Sequence, residues 1–189
     1  MKVLSLDTCF GSCSAAIQCS SITVAKITEP EHNKQAESLL RIVENALNNN
    51  ELSYTDLDLI AITIGPGSFT GIRAGLTFAY ALSTMIEKPL IGITTLEIIA
   101  HQSLQDIKEE YFYITVEAGR WRYYRQLFDR SLTTLSAITL DTSQDLSLLQ
   151  EPVYGHFKQK VIIDVETLAN LAISKHSVPK SHLPQAVYA

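Results

Sequence analysis

One segment constrains the fold more than any other: Ile60-Ala61-Ile62-Thr63-Ile64, followed by Gly65-Pro66-Gly67-Ser68-Phe69-Thr70-Gly71-Ile72-Arg73-Ala74-Gly75-Leu76. The apolar, β-branched run suits a strand buried on both faces. Pro66 fixes its own φ and the flanking glycines permit conformations closed to other residues, so the strand stops there. Ser68 or Thr70 can then cap a helix. A strand, a glycine turn and a helix N-terminus aim backbone N–H groups at one spot, and such a spot favours anions.

The common phosphate motifs fail in detail. A P-loop needs Gly-Lys-Ser/Thr where this chain has Thr70-Gly71-Ile72, and a dinucleotide fingerprint needs its third glycine at Thr70 rather than at Gly71. The plain alternative is a tight turn feeding a closely packed helix. Within that helix Gly71, Gly75 and Ala79 recur every four residues and share one face. Interior glycine costs about 1 kcal/mol relative to alanine. Two of them imply close approach of another backbone, inside the domain or from another chain. Arg73 and the threonines, with too short an apolar run, exclude a membrane span.

With 189 residues the chain can build one sizeable core or two small lobes. Its formal charge of −5 does not suit a stand-alone nucleic-acid binder. Asp7 interrupts Met1-Lys2-Val3-Leu4-Ser5-Leu6 before a secretory h-region can develop. Cys9, Cys13 and Cys19 form no Cys-x-x-Cys pair and are expected to be reduced thiols of a cytoplasmic protein. His32, His101, His156, His176 and His182 lack zinc spacing, so no metal and no cofactor are expected.

Patterning predicts strands at Val3–Leu6, Ser14–Ser20 and Ile22–Thr28, then an amphipathic helix over Lys34–Asn48 carrying Leu39, Leu40, Val43, Ala46 and Leu47. A strand at Leu57–Ile64, the helix Thr70–Ile86, a strand at Pro89–Ile93 and a helix opened by the capping box Thr94-Thr95-Leu96-Glu97 follow, this last helix ending near Gln105. This order is that of an α/β layer with a mixed sheet. Beyond it a hairpin is expected, Tyr111–Glu117 with Trp121–Phe128, then strands at Thr133–Leu140 and Val161–Ile163. Asp141–Glu151 carries little signal, and Asp164 can cap a last helix holding Leu168, Leu171 and Ala172. The tail with Pro179 and Pro184 reads as irregular. A lobe boundary near Gln105–Lys108 divides the chain into 1–105 and 106–189.

Candidate chemistry is sparse. Asp7, at a strand end, can hold a divalent cation through water or brace its own turn. Glu37 reads as an exposed helix residue. Ser68 lacks a nearby base and a Gly-x-Ser-x-Gly elbow. Arg120-Trp121-Arg122-Tyr123-Tyr124-Arg125 mixes cations with stacking rings, as RNA-contacting strands do, and on a strand Trp121, Tyr123 and Arg125 would share one face.

The glycine segment Gly65–Leu76 resembles the signature of the TsaB family, also called YeaZ. Leu4-Ser5-Leu6-Asp7-Thr8 with Cys13-Ser14-Ala15-Ala16, Glu37-Ser38-Leu39-Leu40, and Pro89-Leu90-Ile91-Gly92-Ile93-Thr94-Thr95-Leu96-Glu97 resemble further stretches of it, over roughly Met1–Gln105. The second half is less similar: Glu117-Ala118-Gly119-Arg120 stands where the family has Asp-Ala-Arg-Arg, Gln35 replaces a histidine, and Tyr188-Ala189 closes the chain without the family's arginine.

The resemblance implies an α/β, actin-like or sugar-kinase-like ATPase fold of ribonuclease H-like lobes, the second one short. It implies no catalytic residues and a supporting role for TsaD, which transfers a threonylcarbamoyl group to adenosine 37 of tRNA, with TsaE as the ATP-using component. It implies partner contacts, to TsaD or to a second copy, by Glu37, Leu40 and Val43 of the first helix and by Gly71, Arg73, Ala74, Gly75, Phe78, Ala79 and Leu82 of the second. Asp7, Gly65, Gly67 and Ser68 are the positions it offers for nucleotide. The tRNA would be met only through the complex. An active phosphotransferase or ATPase of the same fold is the alternative, and a peptidase is the weaker third reading.

Overall fold

A computed structural model describes residues 1–30, 35–159, 161–176 and 183–187. The expected helix start at Lys34, His32, His182, Pro179 and Tyr188-Ala189 lie outside the described residues. Two mixed sheets organise the chain. The first holds β1 (Lys2–Asp7), β2 (Cys13–Cys19), β3 (Ile22–Glu29), β4 (Leu59–Thr63) and β5 (Leu90–Ile93) in the order β3-β2-β1-β4-β5. β1, β2 and β3 form an antiparallel meander, whereas β4 lies parallel to β1 and β5 parallel to β4. The second sheet orders β8 (Thr139–Thr142), β7 (Arg122–Asp129), β6 (Tyr111–Gly119) and β9 (Val153–Gly155).

Burial follows position in the sheet. β4 lies at the centre of the parallel part and is buried at every residue, whereas the edge strand β3 leaves alternate residues exposed. The two faces of the first sheet collect different partners. Leu4, Leu6, Ile60 and Ile62 meet α1 (Gln35–Asn48) and α2 (Phe69–Ile86), whereas Val3, Leu59, Ala61 and Ile93 meet α3 (Thr95–Ser103) and α5 (Val165–His176). The second core is shared with Phe112, Ile114, Val116 and Phe128 of the second sheet. α5 therefore returns to the first sheet, where the buried Ser5 hydroxyl donates to Val165 O at 2.7 Å. Residues on both sides of position 105 share this core. The architecture is α/β, two mixed sheets with packed helices, as the resemblance implied.

Three expected elements differ. Val161–Ile163 is not a strand: Gln102 Nε2 donates to Ile162 O at 3.0 Å and the His156 ring contacts Val161 O at 3.0 Å, so side chains serve these backbone carbonyls. The strand that pairs with β6 is Val153–Gly155 instead. Of Thr133–Leu140 only the end is regular, β8 beginning at Thr139 and Thr134 making one isolated bridge to Phe128. Within Asp141–Glu151 lies α4 (Ser143–Ser147), opened by a capping box in which Thr142 Oγ1 accepts from Asp145 N and Asp145 Oδ2 from Thr142 N. The Thr94 capping box and the Asp164 cap are present as expected, Asp164 Oδ2 accepting from Thr167 N at 3.0 Å.

Candidate functional site

The turn after β1 and the glycine turn after β4 meet at Cys9. Cys9 N donates to Asp7 Oδ1 at 3.2 Å, and Ser68 N donates to Cys9 O at 2.8 Å. A Cβ added at Gly67 would lie 2.7 Å from the same oxygen. Asp7, Gly67 and Ser68 thus gather at one locus, joined by the chain itself. Gly65 has φ +94°, a backbone state that a side chain would strain, and its cis bond to Pro66 turns the chain toward α2. The Ser68 hydroxyl caps α2 by accepting from Gly71 N at 3.2 Å, and Ser68 O accepts from Ile72 N at 2.8 Å. The N–H groups of Ser68, Gly71 and Ile72, which the spacing offered to an anion, are engaged within the chain.

Residues 183–187 cover the other side of this turn, an element with no signal in the sequence beyond Pro184. Val187 N donates to Ile64 O at 2.8 Å, and Pro184 lies against Gly92, where a Cβ would meet it at 2.6 Å. The segment crosses the carboxyl ends of β4 and β5, the edge at which open α/β sheets receive ligands.

Asp7 also lines a cleft of about 330 Å³, together with Phe10, Gly11, Ser12, Thr28, Pro30 and residues 161–163. The Thr63 hydroxyl donates to its Oδ1 at 2.5 Å. Burial pushes the carboxyl above its ordinary value, with the Thr63 and Cys9 hydrogen bonds opposing that shift. Burial, and secondarily the Asp7 charge, also pushes the Cys9 thiol well up, so it is no nucleophile. A carboxylate beside the turn repels phosphate rather than attracting it. Among the described residues no three His, Cys, Asp or Glu side chains come together as a metal site.

The raised Asp7 value has a consequence for stability. The folded chain holds this proton more tightly than the unfolded one, so the contribution is present at low pH and falls as pH rises through the folded value. Asp7→Asn keeps an acceptor for Thr63 and Cys9 and removes the titration. The melting temperature of wild type minus that of Asp7→Asn should therefore decline from about pH 4, near the ordinary carboxylate range, to neutrality. A difference that rises with pH, or stays flat, would contradict this assignment.

The small-residue stripe packs inside the lobe, which corrects the expectation that it forms a docking face. A Cβ at Gly71 would lie 2.0 Å from Thr8 O, and one at Gly75 would lie 2.5 Å from Thr8 Oγ1 and 3.2 Å from Ile62 Cδ1. Ala79 is fully buried, as is Val43 on α1, and Leu82 is nearly so. Gly71, Gly75, Ala79, Val43 and Leu82 therefore act as core residues of the isolated lobe. The rest of the expected contact set shares an outer face: Glu37, Leu40 and Arg73 are exposed, with Ala74 and Phe78 partly so. Leu40 is 46% exposed, Phe69 53% and Met85 65%. Arg73 lies over the Phe69 ring at 3.8 Å. Two shallow depressions, one of about 600 Å³ and one of about 280 Å³, run along this face and share Phe78 and Ala81. Sequence patterning missed Phe69 and Met85, the two ends of the i, i+4 row Phe69, Arg73, Thr77, Ala81 and Met85 on the outer side of α2.

The sequence model of the family described as "TsaD: tRNA N6-adenosine threonylcarbamoyltransferase" matches residues 24–180. The tRNA threonylcarbamoyladenosine biosynthesis protein TsaB of Buchnera aphidicola subsp. Schizaphis graminum is 29% identical over 133 residues, covering 70% of this chain and 63% of its own. TsaB of Escherichia coli K12 is 35% identical over 100 residues, covering 53% of this chain and 43% of its own. The chain thus spans less than two thirds of these curated relatives. YeaZ from Pseudomonas aeruginosa superposes with a TM-score of 0.77 at 17% identity, covering 93% of this chain and 92% of its own. A second Pseudomonas aeruginosa structure, described as similar to peptidase YEAZ, gives 0.83 at 17% identity over 99% and 98% of the two chains. At that identity these structures establish the fold.

Proposed function

We propose a function from one premise: this chain belongs to the family described as TsaD: tRNA N6-adenosine threonylcarbamoyltransferase, and within it to the TsaB (YeaZ) group. It acts in formation of threonylcarbamoyladenosine in tRNA as a non-catalytic partner of a TsaD protein, in the cytoplasm, with TsaE joining the complex. The observation that carries this reading is the exposed apolar face of α1 and α2. Contiguous exposed apolar surface of this kind marks a protein interaction site. A second copy of the chain could cover the same face when TsaD is absent.

The chemistry elsewhere supports a partner rather than an enzyme. The glycine turn lacks a lysine for β- and γ-phosphates, and the N–H groups of Ser68 and Gly71 are engaged by Cys9 O and by the helix cap. The Ser68 oxygen accepts from Gly71 N–H as the helix cap, and the residue lacks the Gly-x-Ser-x-Gly elbow of a hydrolase, so the peptidase reading gains no support. The described helices include none long and apolar enough to cross a membrane.

The test is co-expression with the TsaD protein of the same organism. The two should co-purify, and the modified nucleoside, quantified by mass spectrometry of digested tRNA, should fall to background when this chain is left out. Equal modification without it would overturn the reading. So would ATP turnover by the isolated chain above a boiled control and abolished by Asp7→Asn, which favours the phosphotransferase alternative.

A further inference from the structure

The β6–β7 hairpin ends in a turn that its sequence does not favour. Gly119 pairs with Arg122, leaving Arg120 and Trp121 as a two-residue connection. Both have positive φ, 54° and 61°. That is the φ signature of a type I′ turn, which prefers Asn-Gly. A bulky residue in this region is a genuine outlier, and such local cost is a reason to ask what the side chain does. Here the side chain does nothing for the fold. The Trp121 ring is 80% exposed, although its backbone is held: Ser143 donates to Trp121 O from both its N–H, at 3.1 Å, and its hydroxyl, at 3.2 Å. A large flat ring is thus presented to solvent from a braced turn, outside the strand alternation that would pair it with Tyr123 and Arg125.

The charges beside it are equally unspent. Of the six arginines, Arg41 pairs with Glu29, Arg125 with Asp141, Arg130 donates to Ile107 O, and Arg73 lies on Phe69. Arg120 and Arg122 are exposed and make no ion pair or side-chain hydrogen bond among the described residues. The nearby acids make no ion pair with them: Asp141 is committed to Arg125 and Thr139, Asp145 to the α4 cap, and Glu117, exposed opposite Tyr123, pairs with neither. An aromatic platform flanked by two unpaired guanidinium groups is complementary to a base with a phosphate on either side. A cavity of about 420 Å³, lined by Phe10, Glu117, Gly119 and His156, opens beside the turn and leaves room for the neighbouring nucleotide.

We infer that the β6–β7 tip contacts single-stranded RNA, one unpaired base stacking on Trp121 while Arg120 and Arg122 hold the adjoining phosphates. That the RNA is a loop of tRNA rests on the proposed role in tRNA modification; the contact itself does not. The overall negative charge of −5 weakens RNA binding elsewhere on the chain, so the tip adds to the grip of a complex rather than replacing it.

Trp121 is the chain's single tryptophan, so it reports on its own environment. Titration of the full chain, and of its complex with the TsaD protein, with a fluorescein-labelled RNA hairpin bearing an open loop should raise anisotropy. It should also quench tryptophan emission in the isolated chain. A blunt RNA duplex of equal length should do neither. Trp121→Gly should weaken loop binding about 5- to 150-fold, as expected for loss of one stacked base. Glycine suits the positive φ, so this variant should melt no lower than wild type, and Trp121→Phe should restore part of the affinity. Replacing Arg120 and Arg122 by Gln should lower the slope of log affinity against log salt by about 1.4, two phosphates' worth on a single strand. Loop affinity unchanged by Trp121→Gly in both chain and complex would overturn the inference. Loss of TsaD association with RNA binding intact would do the same, assigning the tip to a protein. If quenching occurs but the chain never joins TsaD, the proposed function fails and the RNA contact stands.

Discussion

Gly71→Ala should lower the melting temperature, although alanine is the better helix former. Helix propensity favours the change by at most about 1 kcal/mol. Against it stands a backbone oxygen, Thr8 O, 2.0 Å from the new methyl carbon. That oxygen cannot rotate away. Thr8 is fully buried, its hydroxyl donates to Gly71 O at 2.7 Å, and the next peptide is tied to Ser68 N. Overpacking of this kind costs about 1–3 kcal/mol, and contact with a fixed atom places the cost toward the upper end. The net loss corresponds to roughly 2–8 °C at about 2–4 °C per kcal/mol for a chain of this size. Gly75→Ala should cost less, because its nearest neighbours are the side-chain atoms Thr8 Oγ1 and Ile62 Cδ1. Gly75→Leu should cost more than either. Thermal unfolding of the three variants gives the order, and a Gly71→Ala protein more stable than wild type would mean that the β1 turn does not lie against α2.

The same residues show how far the sequence could be read. Repeated glycine every four residues announces close approach, because no other residue leaves that space. It does not say what approaches, and here the answer is a loop, Thr8-Cys9, about sixty positions away in the chain. Elements with a local code were legible: the capping box at Thr94, the Asp164 cap and the buried run of β4 each depend on residues within one turn or one strand. Val161–Ile163 was misread because an apolar run has the same pattern whether a neighbouring strand or side chains such as Gln102 satisfy its carbonyls. β9 was invisible for the converse reason, since three residues beside β6 carry no period. At the site, Asp7 was singled out correctly as a strand-end carboxylate, but its burial and its separation from the glycine turn by Cys9 are tertiary facts. The outer face of α2 was partly hidden by the glycine motif, which drew the reading to the inward side.

Leu40→Asp should abolish association with the TsaD protein and leave folding intact. Leu40 lies on α1 beside Glu44, Phe78 and Met85 around one of the two depressions, and it is 46% exposed, so the isolated lobe loses little when it becomes polar. In a complex the same position is desolvated. Apolar anchors at the centre of an interface commonly cost 2 kcal/mol or more when truncated, and a carboxylate buried without a partner adds to that. Affinity should fall at least about 30-fold at roughly 1.4 kcal/mol per tenfold. Phe78→Ser on α2 should act in the same direction, with a modest loss of melting temperature because that ring also packs on the core. Glu51→Gln, on the exposed turn after α1, serves as a control that should change neither property. Calorimetric titration against TsaD beside thermal unfolding separates the cases. Lost binding at unchanged melting temperature identifies the outer α1–α2 face as the docking surface. Unchanged affinity for Leu40→Asp would exclude that face and leave the second sheet as the place to look. Self-association measured by sedimentation should weaken in parallel if a second copy competes with TsaD for the same apolar residues.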